Sequence, residues 1–193
     1  MKLPEEFYLR NDVVTIAREL LGKVLVTNFN RKKTSGIITE TEAYNGFVDR
    51  ASHAYRGRRT ARNEHMYSHG GISYVYICYG MHHLFNVVTN TLDVPHAILI
   101  RAIKPLEGIN HMLHRRNKLI VDKTLTGGPG TVAQALGIDK NHSGLNLGGN
   151  KIWIEDRNII VNDKDVKVGP RIGVESAGVD ALLPYRFVLK GIW

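Results

Sequence analysis

A chain of 193 residues supports one substantial core, and with no internal repeat or low-complexity linker a single domain over residues 1–193 is expected. Its 43% hydrophobic and 23% charged residues exclude disorder, no run approaches the ~20 apolar residues of a membrane span, and the single Cys78 excludes an internal disulfide and a CxxC zinc site. Twenty-six Lys and Arg against eighteen Asp and Glu give a net +8, which suits a polyanionic partner.

The N-terminus "MKLPEEFYLR" lacks the basic start and apolar run of a signal peptide, which points to the cytoplasm. Asn11 or Asp12 caps a helix whose apolar positions Val13, Ile16, Ala17, Leu20 and Leu21 follow helical spacing, and Gly22 is placed to end it. "KVLVTN" and "SGIITETEAY" read as two strands around a polar turn, "FNRKKT". Residues 45–72 show little periodicity, and a loop of that length is functional or disordered. "ISYVYICYGMHHLFNVVTN" reads as a hairpin turning near Gly80, and "HAILIRAIKP" as a well-buried strand. "PLEGINHMLHRRNK" looks helical, and "GGPGTVAQALGI" is a glycine-rich entry into a short helix. From Lys151 onward short apolar runs alternate with turn residues, so more strands follow. The class is α+β: a curved, mostly antiparallel sheet surrounded by helices, around one core.

Four stretches carry chemistry. In "IITETEAYNG" strict alternation puts Ile38, Glu40, Glu42 and Tyr44 on one face, opposite Thr39, Thr41 and Ala43. Two acids on an apolar strand are costly unless something uses them. Arg101, inside "AILIRAI", needs a carboxylate partner, and Glu40 and Glu42 are the candidates. Five arginines (Arg50, Arg56, Arg58, Arg59 and Arg62) lie between positions 50 and 69 beside one acid, Glu64. Tyr74 and Tyr76 share a strand face near this basic loop, as stacking on bases requires, and Tyr79 at the hairpin tip is placed to wedge between base steps. The amides around Gly128 and Gly130, like Arg58 and Arg59, suit phosphate contacts. Without the lysine of a P-loop, nucleoside triphosphate binding does not follow. His111 and His114 could share a helix face, but no H-E-x-x-H pattern accompanies them, so no metal is expected.

The stretches "ETEAYNGFVDRASHAYRGRRTARNEHMY", "YVYICYGMHHLFNVVT" and "ILIRAIKPLEG" closely resemble the alkyladenine DNA glycosylase family, the alkyladenine type of 3-methyladenine DNA glycosylase. The resemblance runs from the first helix to "PRIGVESAG" and departs from the vertebrate pattern at His82-His83. It implies an enzyme that flips a damaged purine from duplex DNA and hydrolyses its N-glycosidic bond, leaving an abasic site. By the same resemblance Glu42 activates the attacking water, and Arg101 and the backbone of Ile172 help hold that water. Tyr44, His53 and Tyr76 line the base pocket, Asn86 crowds the amino group of guanine, and Tyr79, on a protruding DNA-inserting hairpin, fills the vacated stack.

The chemistry agrees. Flipping needs a pocket and a filler, a cationic alkylpurine leaves easily and binds between electron-rich rings, and a carboxylate supports an oxocarbenium-like sugar while taking a proton from water. No lysine lies within 37–59 to form a Schiff base, so a monofunctional enzyme without strand cleavage is expected. No cofactor is implied. The expected state is a monomer that works in the cytoplasm, nucleoid-associated through double-stranded DNA carrying damaged purines, with no membrane partner. The competing readings are a non-catalytic damaged-DNA-binding module, in which the glutamates only pair arginines, and a nuclease, for which clustered metal-binding carboxylates are missing.

Overall fold

Eight strands form one sheet in the computed structural model, which describes residues 1–191. They are β1 (Val24–Phe29), β2 (Lys32–Asn45), β3 (Ser73–Cys78), β4 (His82–Thr89), β5 (His96–Glu107), β6 (Ile152–Glu155), β7 (Val166–Gly169) and β8 (Arg186–Leu189). The order is β3-β4-β5-β2-β1-β6, with β8 pairing β2 and β7, and every one of these pairings is antiparallel. Four short helices accompany them: α1 (Glu5–Leu9), α2 (Val13–Glu19), α3 (Ile109–Arg116) and α4 (Pro129–Leu136). Among the described residues no helix is long and apolar enough to cross a membrane.

The helices do not surround the sheet as expected; α2, α3 and α4 share one of its faces. Alternation separates the two faces cleanly. Ala43, Val75, Phe85, Val87, Ile98 and Ile100 point into the main core with Ile16 and Ala17 of α2, Met112 of α3 and Val132 and Leu136 of α4. The alternate positions Glu42, Tyr74, Tyr76, Asn86, Leu99 and Arg101 face the other way. None of α2, α3 and α4 covers that second face; the loop from residue 46 to 72 packs on part of it, and the rest is open for a site.

The expected alternation of β2 fails at one residue. Ile38 pairs with Ile103 and Glu40 with Ala102, so Thr39 is an extra residue, a bulge. The bulge sends Ile38 to the helix-covered core, beside Thr41 and Ala43, and leaves Glu40, Glu42 and Tyr44 on the opposite face. The Thr41 hydroxyl then donates to the Ala17 carbonyl of α2 at 2.7 Å.

Other boundaries also moved. Asp12 caps α2 as expected, its Oδ1 accepting from Val14 and Thr15 N–H. The β1–β2 turn shrinks to Asn30 and Arg31, with φ of 51° and 62°, values a two-residue type I′ turn requires. The expected helix "PLEGINHMLHRRNK" starts late because β2 pairing carries β5 through Pro105 to Glu107. Gly108 makes the switch into α3: its φ is 69°, and a Cβ there would lie 2.2 Å from the Lys33 carbonyl oxygen.

The loop from residue 46 to 72 is ordered by its own small core of Ala54, Met66 and Tyr67 against Tyr74, Val88 and Ala97. Buried Asn63 is its hub. Its Oδ1 accepts from the Thr60 N–H and hydroxyl, and its Nδ2 donates to the carbonyls of His53 and Arg58.

Candidate active site

On the face opposite α2, α3 and α4 lies a cavity of about 570 Å³. Tyr44 from β2, Tyr76 from β3, Asn86 from β4, Arg101 from β5, His53 from the basic loop and Ile172 from the segment after β7 all line it. Strand pairing explains the convergence: Asn86 sits opposite both Tyr74 and Leu99, and Leu99 opposite Glu42, so one row of outward positions crosses four strands.

Glu42 is placed behind this lining, fully buried at 0% exposure. Its Oε1 accepts the Ile172 N–H at 2.8 Å and lies 3.4 Å from Arg101 Nη1, while its Oε2 accepts the Tyr44 hydroxyl at 2.9 Å. Burial pushes its carboxyl above the usual range, against the pull of Arg101, the Ile172 amide and Tyr44. A carboxylate offers about four lone-pair sites; these three donors leave room for one more partner.

Glu40 has a different role. Its Oε1 accepts from Arg101 Nε at 3.0 Å and from Arg186 Nε, on β8, at 2.6 Å. Two guanidiniums hold it, and it does not line the cavity. The two glutamates of one strand therefore part: Glu40 is held by two guanidiniums, and Glu42 is buried behind the pocket.

The pocket's aromatic wall is a trio. His53 packs edge-on against Tyr76 with centroids 4.6 Å apart, and Tyr74 lies 5.5 Å from Tyr76. His53 Nδ1 is 2.8 Å from the Tyr74 hydroxyl; with Tyr74 as donor, the neutral ring keeps Nε2–H for a ligand. Burial, reinforced by Arg62 and Arg58, lowers His53 to about 4, so it is neutral at physiological pH. Its share of stability is complete above the free-histidine value of about 6.5 and drains as pH falls toward the folded value. Asn86 is buried and locked by donation to the Tyr74 and Leu84 carbonyls.

At the mouth, Cys78 opposite His82 leaves a three-residue turn. Tyr79 (φ 50°) and Gly80 (φ 71°) turn the chain, and the Tyr79 side chain is 87% exposed. Arg50, Arg58 and Arg62 line the cavity. Arg59 departs from them: it pairs with Glu64 and Asp93 and sits over the Tyr67 ring. At the start of α4, Pro129 reaches the cavity, but the Gly128 N–H is already donated to Thr131 Oγ1, and Gly130 abuts His82. Among the described residues no group of three or more His, Cys, Asp or Glu could hold a metal ion.

Sequence reasoning missed the support behind this lining: Arg186, Asn63, Asp49 and Arg171. Alternation had already set Tyr74 beside Tyr76, but nothing in the sequence gave the bond of its hydroxyl to His53.

A family model described as methylpurine-DNA glycosylase matches residues 6–192. Three bacterial relatives carry the name "Putative 3-methyladenine DNA glycosylase". That of Chlamydia felis is 50% identical over 189 residues, covering 97% of this chain and 96% of its own. That of Clostridium perfringens strain 13 is 43% identical over 198 residues, with 98% and 96% covered. That of Bacillus cereus is 41% identical over 199 residues, with 99% and 97% covered.

Proposed function

Because the chain belongs to the methylpurine-DNA glycosylase family, we propose that it removes damaged purines from duplex DNA by flipping the nucleotide and hydrolysing its N-glycosidic bond with a Glu42-activated water. The activity itself, that of a DNA-3-methyladenine glycosylase, follows from family and relatives. The observation that carries the mechanism is a fully buried carboxylate, with protein donors on both oxygens, behind an aromatic cavity.

The flipped base enters between Tyr44 and the His53–Tyr76 wall. A cationic alkylpurine gains from the electron-rich faces, and neutral His53 adds no opposing charge. Locked Asn86 takes the space an exocyclic amino group of guanine would need. The water occupies the acceptor site left on Glu42, beside Arg101 and Ile172. The C–N bond breaks as a cationic alkylpurine leaves neutral, or as a neutral lesion leaves protonated at its own N7, and the water gives its proton to Glu42 as it attacks the oxocarbenium-like sugar. Arg50, Arg58 and Arg62 hold phosphates around the lesion. No lysine competes as nucleophile in the 37–59 stretch, so the product is an intact strand with an abasic site.

The test is a duplex carrying hypoxanthine or an alkylated adenine, incubated with the protein and then treated with hot alkali. Breaks at the lesion only after alkali support the reading. Breaks without alkali mean a lyase or nuclease, and binding without breaks means a binding module.

The hairpin gives a second expectation. Exposed Tyr79 replaces the extruded base in the stack, and unstacking costs a few kcal/mol, least where the lesion is mispaired. Tyr79→Ala should slow single-turnover release from a well-paired lesion by about tenfold to a hundredfold, and from a mispaired one much less. Equal and undiminished rates on both substrates would remove the wedge from the mechanism.

A further inference from the structure

The geometry points to Arg171 and Asp49 as a positioning clamp that aims the Ile172 N–H at Glu42. This inference rests on Glu42 being the base. The Arg171 side chain is wholly buried, and its guanidinium meets three separate parts of the chain. Nη1 donates to an Asp49 carboxylate oxygen and to the Ala43 carbonyl at 2.9 Å. Nη2 donates to the other Asp49 oxygen at 2.8 Å and to the Asp180 carbonyl at 3.0 Å. Such a two-pronged pair fixes direction as well as distance.

Asp49 is itself pinned. Its oxygens also accept the Asn45 and Ala51 N–H groups, and a second tie runs from the Arg50 N–H to the Asp180 carboxylate. The end of β2, the turn after it and the segment around 171–180 are therefore tied together. Ala43, whose carbonyl takes Arg171, is the residue after Glu42. Ile172, whose N–H reaches Glu42 Oε1, is the residue after Arg171. One guanidinium thus sets both ends of a hydrogen bond between residues 130 positions apart. It also lies 4.8 Å behind the Tyr44 ring, whose hydroxyl holds the other Glu42 oxygen.

Loosening the clamp has an effect that mere destabilisation does not. The charged and titratable groups facing Glu42 are Glu40 and Tyr44 from β2, Arg101 from β5, Tyr76 from β3, Arg186 from β8 by way of Glu40, and Arg171. Arg171→Lys keeps all of these charges and removes the fork. With the Ile172 N–H no longer held on Oε1, ionised Glu42 loses a donor, and its carboxyl titrates at higher pH.

Single-turnover release by Arg171→Lys should fall about tenfold at neutral pH, with the acid limb of the profile moved up and the rate recovering as pH rises. Lesion affinity should stay within about twofold. The Glu42 carboxyl, followed by NMR titration, should shift upward in the same variant. An unshifted Glu42 titration in a folded Arg171→Lys protein overturns the clamp. Amide exchange in the unmutated protein gives a check that no misfolded variant can spoil: a held Ile172 N–H exchanges slowly, and exchange at the rate of an open loop overturns the inference. Failure of the base assignment looks different, because Glu42→Gln then stays active whatever the titration shows.

Discussion

Glu42→Gln is expected to bind lesion-bearing duplex normally and to release almost no base. Positioned general-base catalysis contributes about 10²–10⁴-fold, so the single-turnover rate should drop by at least about a hundredfold. The amide has nearly the same shape, keeps an oxygen for the Ile172 N–H and cannot take a proton. Stability should move the other way. Burial raises the Glu42 carboxyl in the folded state, so its ionised form weighs against folding at neutral pH. Removing that charge leaves Arg101 with Glu40, and the variant should melt no lower than the parent. The same raised carboxyl puts the acid limb of the parent's release profile above the free-glutamate value of about 4.3. Retention of near-parental release by a well-folded Glu42→Gln would move the chemistry elsewhere.

The division between what the sequence disclosed and what it hid follows sequence distance. Tyr44 and Tyr76 were legible because alternation assigns faces to strands, and Arg101 because a charge inside an apolar strand needs a carboxylate. Asn86 entered only through family resemblance, although β3, β4 and β5 are neighbours in chain and sheet alike. The same rule misplaced Ile38, because nothing in "IITET" marks Thr39 as an inserted residue; only its pairing with β5 reveals the bulge. The helix expected over "PLEGINHMLHRRNK" lost its first residues for a related reason: pairing with β2 overrides local preference as far as Glu107. Helices were expected around the sheet, but a count of helices cannot say which face they cover. Ile172 entered only through family resemblance, and Arg171 and Asp49 not at all. Asp49 reads locally as a turn residue and Arg171 as a surface cation, and their pairing spans 122 positions without any periodic signature.

Replacing Arg101 should give stability and activity opposite dependences on pH. Its Nε holds Glu40 and its Nη1 lies 3.4 Å from Glu42, the one cation within salt-bridge reach of that carboxylate among the described residues. Arg101→Gln leaves Glu40 with Arg186 but leaves Glu42 a buried charge with only the Ile172 amide and the Tyr44 hydroxyl. Breaking a buried pair costs about 3 kcal/mol or more, and at neutral pH the variant should lose an amount of that order in denaturant unfolding. Glu42 already titrates above its unfolded value, and without Arg101 it titrates higher still. A carboxyl with a raised folded value binds its proton more readily in the native state, so the stability deficit should shrink as pH falls through that value. Release needs the ionised form and should do the reverse: weak at neutral pH, with its acid limb displaced upward and activity returning only as pH rises. Unfolding and single-turnover release measured over one pH series will show whether the two trends cross. A release profile superposable on that of the parent, beside a pH-independent loss of stability, would mean that Arg101 serves Glu40 alone and that Glu42 is kept ionised by its amide and hydroxyl donors.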